Sequence, residues 1–181
     1  MTEALYHEEP GRMIAPRTVR LERLLPGSIE RAWSYLTDSE KRGQWLASGP
    51  MDLRKGGKVE LTFRNSELSD EAAPERYAIY EGRCNHGEIT EIDPPHRISM
   101  TWPHGSDHSE VTFELTRKGN DTLLVVTHKN LPDRGEMVGV ASGWDAHLGV
   151  LIDRLNGREP KGFWTNILKR QKQYQEIFPA E

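Results

Sequence analysis

One stretch of this chain can settle comfortably only as a helix. Residues 143–157 read Gly-Trp-Asp-Ala-His-Leu-Gly-Val-Leu-Ile-Asp-Arg-Leu-Asn-Gly. Trp144, Leu148, Leu151 and Leu155 fall at i, i+4, i+7 and i+11, one face of a 3.6-residue period. Asp145, Asp153 and Asn156 fall off that stripe, and Gly157 stands where a left-handed residue ends a helix. From about Arg17 up to this segment the chain reads mainly as short strands. A long amphipathic helix that follows a sheet needs a concave face to lie in. The pattern therefore predicts a container for an apolar molecule or surface.

At 181 residues the chain is long enough to bury a real core. Its 24 Lys plus Arg against 28 Asp plus Glu give a net charge of −4 with no strongly polarised half. A general nucleic-acid binder needs a basic surplus, so nucleic acid is not an expected partner. Cys84 is the one cysteine, which excludes an intrachain disulfide and a cysteine metal cluster. Residues 1–16 lack the apolar core of a signal peptide, and no run approaches the ~18 apolar residues of a membrane span. The expected location is the cytoplasm.

Residues 1–16, acidic and without periodicity, read as a flexible tail. Val19, Leu21 and Arg23 then alternate with Thr18, Glu22 and Leu24 as a first strand, which Pro26-Gly27 breaks. Ile29, Ala32, Trp33 and Leu36 give a short helix with Ser28 as its N-cap. The Thr37-Asp38-Ser39-Glu40 capping-box spacing predicts a second, running to about Leu46. Antiparallel strands follow at 51–54, 58–64, 77–83, 87–92, 97–102, 109–116 and 122–128, with residues 65–75 a polar loop that sends no side chain to the core. Turn chemistry separates the later strands: Asp93-Pro94-Pro95, His104-Gly105-Ser106-Asp107 and Lys118-Gly119-Asn120-Asp121. Beyond Gly157, Arg158-Glu159-Pro160 is a break, and a basic helix runs to about Ile177, packed by one side.

The order of strand, two short helices, meander and long helix resembles the helix-grip fold of the START/Bet v 1-like (SRPBCC) superfamily. More narrowly, it resembles the single-domain bacterial relatives of the activator of Hsp90 ATPase. The matching stretches include Ala32-Trp33, Leu36-Thr37-Asp38, Trp45-Leu46, Asp52-Leu53-Arg54-Lys55-Gly56-Gly57, Glu91-Ile92-Asp93-Pro94-Pro95, Thr101-Trp102, Thr127-His128 and Gly143-Trp144. The resemblance implies an α+β domain over residues 17–157, a curved antiparallel sheet wrapped around the long C-terminal helix. Residues 1–16 and a helical extension, 158–181, then lie outside it. On that division the extension is dispensable for folding, and it serves as a cover for the cavity or a homodimer contact.

A helix-grip fold leaves a mostly apolar cavity between sheet and helix. The residues directed at it are Trp102, Phe113, Trp144, His147, Leu148 and Leu151, and the resemblance adds Leu124, Val126 and His128. His128 and His147 are the histidines whose positions send them inward, where either orients a ligand carbonyl or phenol or serves as a base. His104, Asp107 and His108 have metal-like spacing, but on a turn rather than a helix, so no metal site is expected. There is no phosphate loop or GxGxxG, and no cofactor is expected. The leading expectation is non-catalytic binding of a small hydrophobic or aromatic molecule, lipid- or polyketide-like. Its rivals are a chaperone-associated or stress-response module and a cyclase- or hydrolase-type enzyme pairing a cavity histidine with Tyr77 or Tyr80.

Overall fold

The computed structural model describes residues 9–104 and 107–180. Residues 1–8 of the expected tail and Gly105-Ser106 of the expected turn lie outside the described residues. Among those described, seven strands form one antiparallel sheet in the order β1-β2-β7-β6-β5-β4-β3. They are β1 (Arg12–Ala15), β2 (Thr18–Leu25), β3 (Lys58–Thr62), β4 (Cys84–Asp93), β5 (Arg97–His104), β6 (Asp107–Lys118) and β7 (Asp121–Lys129). Two short helices, α1 (Ile29–Thr37) and α2 (Ser39–Gly43), follow β2, and α3 (Glu75–Ala78) precedes β4. The long α4 (Arg134–Leu155) and then α5 (Phe163–Ile177) complete the chain. This is the helix-grip arrangement, a curved sheet wrapped on long C-terminal helices.

Local chemistry accounts for most of these elements. Burial along β2 alternates strictly, with Val19, Leu21, Arg23 and Leu25 inward. The Ser28 side chain accepts from the Arg31 amide and caps α1, which buries Ile29, Ala32 and Leu36. The cap of α2 is Asp38, whose carboxylate accepts from the Lys41 amide at 3.0 Å. Thr37, expected in that role, donates instead to the Trp33 carbonyl inside α1. Asp133 caps α4 by accepting from the Glu136 amide at 2.9 Å, and Gly157 at φ 69° closes the turn after the helix. On the inner face, register places Val19 opposite His128 and His128 opposite Val111, so that residue sits mid-sheet beneath α4.

Three expectations need correcting. Residues 51–54 do not form a strand; Met51 makes only an isolated bridge to Val59. Residues 77–83 are not a strand either. Pro74 opens a helical turn, Tyr77 leaves to stack on Trp164 with ring centres 5.1 Å apart, and Ile79 and Tyr80 both face solvent. That burial has no period of two, so nothing holds the segment extended. The 65–75 loop does reach the core, because Leu68 is buried.

That loop also explains how α5 is held. Glu71 accepts from the Thr165 amide and hydroxyl, Asp70 from the Gly162 amide, and Ser69 Oγ from the Phe163 amide. The orphan donors at the start of α5 are thus satisfied by a loop distant in sequence rather than by a local cap. Phe163, Trp164, Ile167 and Tyr174 of α5 are buried, as is Phe178 beyond it. Residues 12–15, within the expected tail, add the edge strand β1. Among the described residues no helix is long and apolar enough to cross a membrane.

Candidate functional site

Between α4 and the sheet lies a cavity of about 100 Å³ lined by Leu46, Phe63, Trp102, His128, Val140, Gly143, Trp144 and His147. Val140, Gly143, Trp144 and His147 follow one another at i, i+3, i+4 and i+7, so a single stripe of α4 forms one wall. Trp102 of β5 and His128 of β7 line it from the sheet, and Leu46 and Phe63 complete the lining. The aromatic rings brace each other edge-on: Trp102 to Trp144 at 5.4 Å, Phe63 to Trp102 at 5.8 Å, and Phe113 to Trp144 at 5.4 Å between centres. Gly143 leaves space on the helix wall, since a Cβ built there meets nothing within 4 Å.

The two cavity histidines differ in what they offer. Trp144 Nε1–H donates to His128 Nδ1 at 3.1 Å, which fixes the proton of that ring on Nε2. His128 Nε2 therefore donates to Ser109 Oγ at 2.6 Å. Ser109 also lies 2.7 Å from His104 Nε2, and His104 Nδ1 stands 3.4 Å from Glu136 of α4. His128 is fully buried with both nitrogens engaged, and burial, with His104 beside it, lowers its pKa to about 3. His147 Nδ1 lies 2.7 Å from the Trp45 carbonyl and must be the donor there, leaving Nε2 as a lone-pair acceptor. Burial lowers its pKa to about 4 despite that carbonyl. Both rings are neutral at physiological pH, and among the described residues no charged group lines the cavity.

Of the nine residues that sequence reasoning directs inward, Trp102, His128, Trp144 and His147 meet at this cavity. Phe113 backs the Trp144 ring and borders a much smaller void beside Trp102. Leu124, Val126, Leu148 and Leu151 are packed in the main core away from the cavity lining. Leu46, Phe63, Val140 and Gly143 were not foreseen. The i, i+3, i+4, i+7 spacing would have found the two on α4, had the helix been read from Arg134 rather than from Gly143. Neither expected donor–acceptor pairing of a cavity histidine with Tyr77 or Tyr80 occurs: Tyr77 accepts from Gln171 at 2.9 Å, and Tyr80 is exposed. No group of three or more His, Cys, Asp or Glu side chains among the described residues is placed to hold a metal.

The family model for Activator of Hsp90 ATPase homolog 1-like protein matches residues 26–156. The chain belongs to this family. A protein of Bordetella parapertussis with a solution structure is 39% identical, at a TM-score of 0.82, over 96% of this chain and 92% of that one. CalU16 from Micromonospora echinospora shares the fold at 22% identity and a TM-score of 0.69, covering 93% and 94% of the two chains. An HSP90 activator from Plasmodium falciparum shares it at 24% identity and a TM-score of 0.60, over 80% of this chain and 98% of that one. No curated protein matches the chain in sequence. The match thus runs from the turn after β2 to the close of α4 and stops short of α5.

Proposed function

We propose that this protein binds a small hydrophobic or aromatic molecule, without chemistry, in the cavity between the sheet and α4, and that it does so in the cytoplasm. The observation that carries the reading is the void beside Gly143, about 100 Å³ walled by Trp102, Trp144, Phe63 and Val140. Glycine inside a helix costs about 1 kcal/mol relative to alanine, and here it leaves room beside an aromatic wall. A dry cavity of about 150 Å³ accepts benzene, so about 100 Å³ limits the occupant to one ring at most. A lipid chain or polyketide has to displace Leu46, Phe63 or Val140. Catalysis has little support, because His128 is fully engaged and His147 is a weak base.

Titration with single-ring aromatics should change tryptophan fluorescence saturably, with Kd between about 1 mM and 1 µM, or roughly −4 to −8 kcal/mol. Gly143→Leu, which fills the void, should abolish that change and leave the fold intact. If a broad panel alters neither fluorescence nor melting temperature in the wild type, the cavity reading fails.

A chaperone-associated role is the second reading. It draws on the family description and on the exposed Ile79 and Tyr80. Equimolar protein should change the ATPase rate of the host Hsp90-type chaperone little. Saturable, several-fold stimulation would reverse the order of the two readings.

A further inference from the structure

We infer that the cavity selects a neutral aromatic alcohol, a phenol-type molecule whose hydroxyl donates to His147 Nε2, over bare or anionic aromatics. The inference rests on the binding role proposed above and names the ligand class. Its anchor is the His147 ring. The Trp45 carbonyl accepts from Nδ1–H, and the ring stands edge-on to Phe163 with centres 4.9 Å apart, so its orientation is fixed from two sides. His147 is 7% exposed, and among the described residues its Nε2 has no donor. With Nδ1 turned to the Trp45 carbonyl, Nε2 is the unpartnered acceptor of a ring that lines the cavity.

A buried acceptor facing an apolar space is left unsatisfied by an occupant without a donor. A hydroxyl on the occupant restores the missing bond, and sites built around such a polar group reject analogues that lack it. Neither nitrogen of His128 is free for this task, since Trp144 and Ser109 occupy them. The acceptor character of His147 persists at neutral pH because burial keeps the ring unprotonated. A carboxylate finds neither a cation nor a free donor of its own strength here, and it meets the His147 lone pair instead. Anions are therefore excluded by the cost of an unpaired buried charge.

The test uses the full chain and three matched probes: p-cresol, toluene and p-toluate. Affinities come from tryptophan fluorescence, and the imidazole nitrogen resonances of His147 are followed by NMR. p-Cresol should bind about tenfold more tightly than toluene, p-toluate should not bind, and the Nε2 resonance should move with p-cresol alone. In His147→Phe, which keeps a ring of similar size, the p-cresol preference should collapse to about unity while toluene still binds. Because that variant also loses the bond to Trp45, the wild-type nitrogen shift decides independently if it fails to fold. Equal binding of p-cresol and toluene, or an unmoved Nε2 resonance, overturns the inference and leaves the binding role standing. Tightest binding by p-toluate overturns it as well. Binding by none of the three removes the proposed function with it.

Discussion

Helix α4 buries two polar side chains two positions apart, Asp145 and His147, and their surroundings are opposite in kind. Asp145 points away from the sheet's cavity toward β2 and α5. Its Oδ1 accepts from Arg23 Nη2 at 2.7 Å and faces Arg170 Nε at 3.3 Å, and its Oδ2 accepts from the Tyr174 hydroxyl at 2.6 Å. Tyr174 in turn accepts from the Gly11 amide at 2.5 Å, and Arg23 also donates to the carbonyls of Glu9 and Glu22. Burial and the adjacent Asp145 carboxylate hold the Tyr174 hydroxyl well above its usual range, so it stays a donor. His147, by contrast, satisfies one nitrogen and leaves the other open onto a void. A closed polar network fixes the fold, because removing either partner of its buried ion pair leaves the other charge buried without it. An open atom beside unfilled space is free to answer to something outside the chain.

The largest effect should come from removing residues 161–181. That deletion exposes the faces that Phe163, Trp164 and Ile167 cover, and takes Arg170 and Tyr174 from Asp145. The cooperative thermal transition should disappear by circular dichroism, whereas a core that ends near Gly157 would keep it. A sharp transition at unchanged mass would break the comparison by making the closed network an accessory.

Next comes a pair of substitutions. Asp145→Ala leaves Arg23 buried without its carboxylate and should cost about 3–5 kcal/mol in urea unfolding. His147→Phe strands only the Trp45 carbonyl and should cost about 1–3 kcal/mol. Equal costs would mean that both sites serve the fold alike.

Acid should sharpen the contrast. In the unfolded chain both histidines titrate near the ordinary 6.5, but folded His147 and His128 take up a proton only at about 4 and about 3. Between those limits the unfolded state binds more protons. Stability is therefore intact above about pH 6.5 and falls on acidification, by up to about 1.4 kcal/mol per pH unit for each histidine. Unfolding midpoints from pH 7 to 4.5 should show the slope, and His147→Phe should remove about half of it. A flat wild-type profile contradicts the assignment of neutral buried rings.

The smallest effect should be that of Trp144→Phe, which keeps the packing ring but leaves His128 Nδ1 without its donor. A loss of about 1–2 kcal/mol is expected. No loss would place water at that nitrogen.

Much of the architecture was legible because it is written in short-range periodicity. The alternation of β2, the turn residues between β4 and β5 and between β6 and β7, and the apolar stripe of α4 each fit inside one window of sequence. Asp145 was not legible. It falls off the stripe and reads as solvent-facing, and only α5, packed on that flank, makes it buried. Residues 77–83 misled for the same reason, since a stacking partner far along the chain, Trp164, draws Tyr77 out of any extended course. At the site, the residue types on α4 and β7 can be read from position, but a void is a difference in volume between packing partners. Leu46 and Phe63 enter it from elements whose approach only the folded sheet determines.

The bond between Gly11 and Tyr174 has a consequence for how the molecule opens. Chain ends ordinarily fray first, and their amides exchange with solvent through small local openings. Here an amide from near the start of the described chain donates to a buried hydroxyl on its last helix, and that hydroxyl is pinned to Asp145 beneath it. The Gly11 amide meets solvent only when the N-terminal segment parts from Tyr174. Its hydrogen–deuterium exchange should therefore be slower than that of the neighbouring β1 amides, making this near-terminal position a reporter of how firmly the two ends are joined.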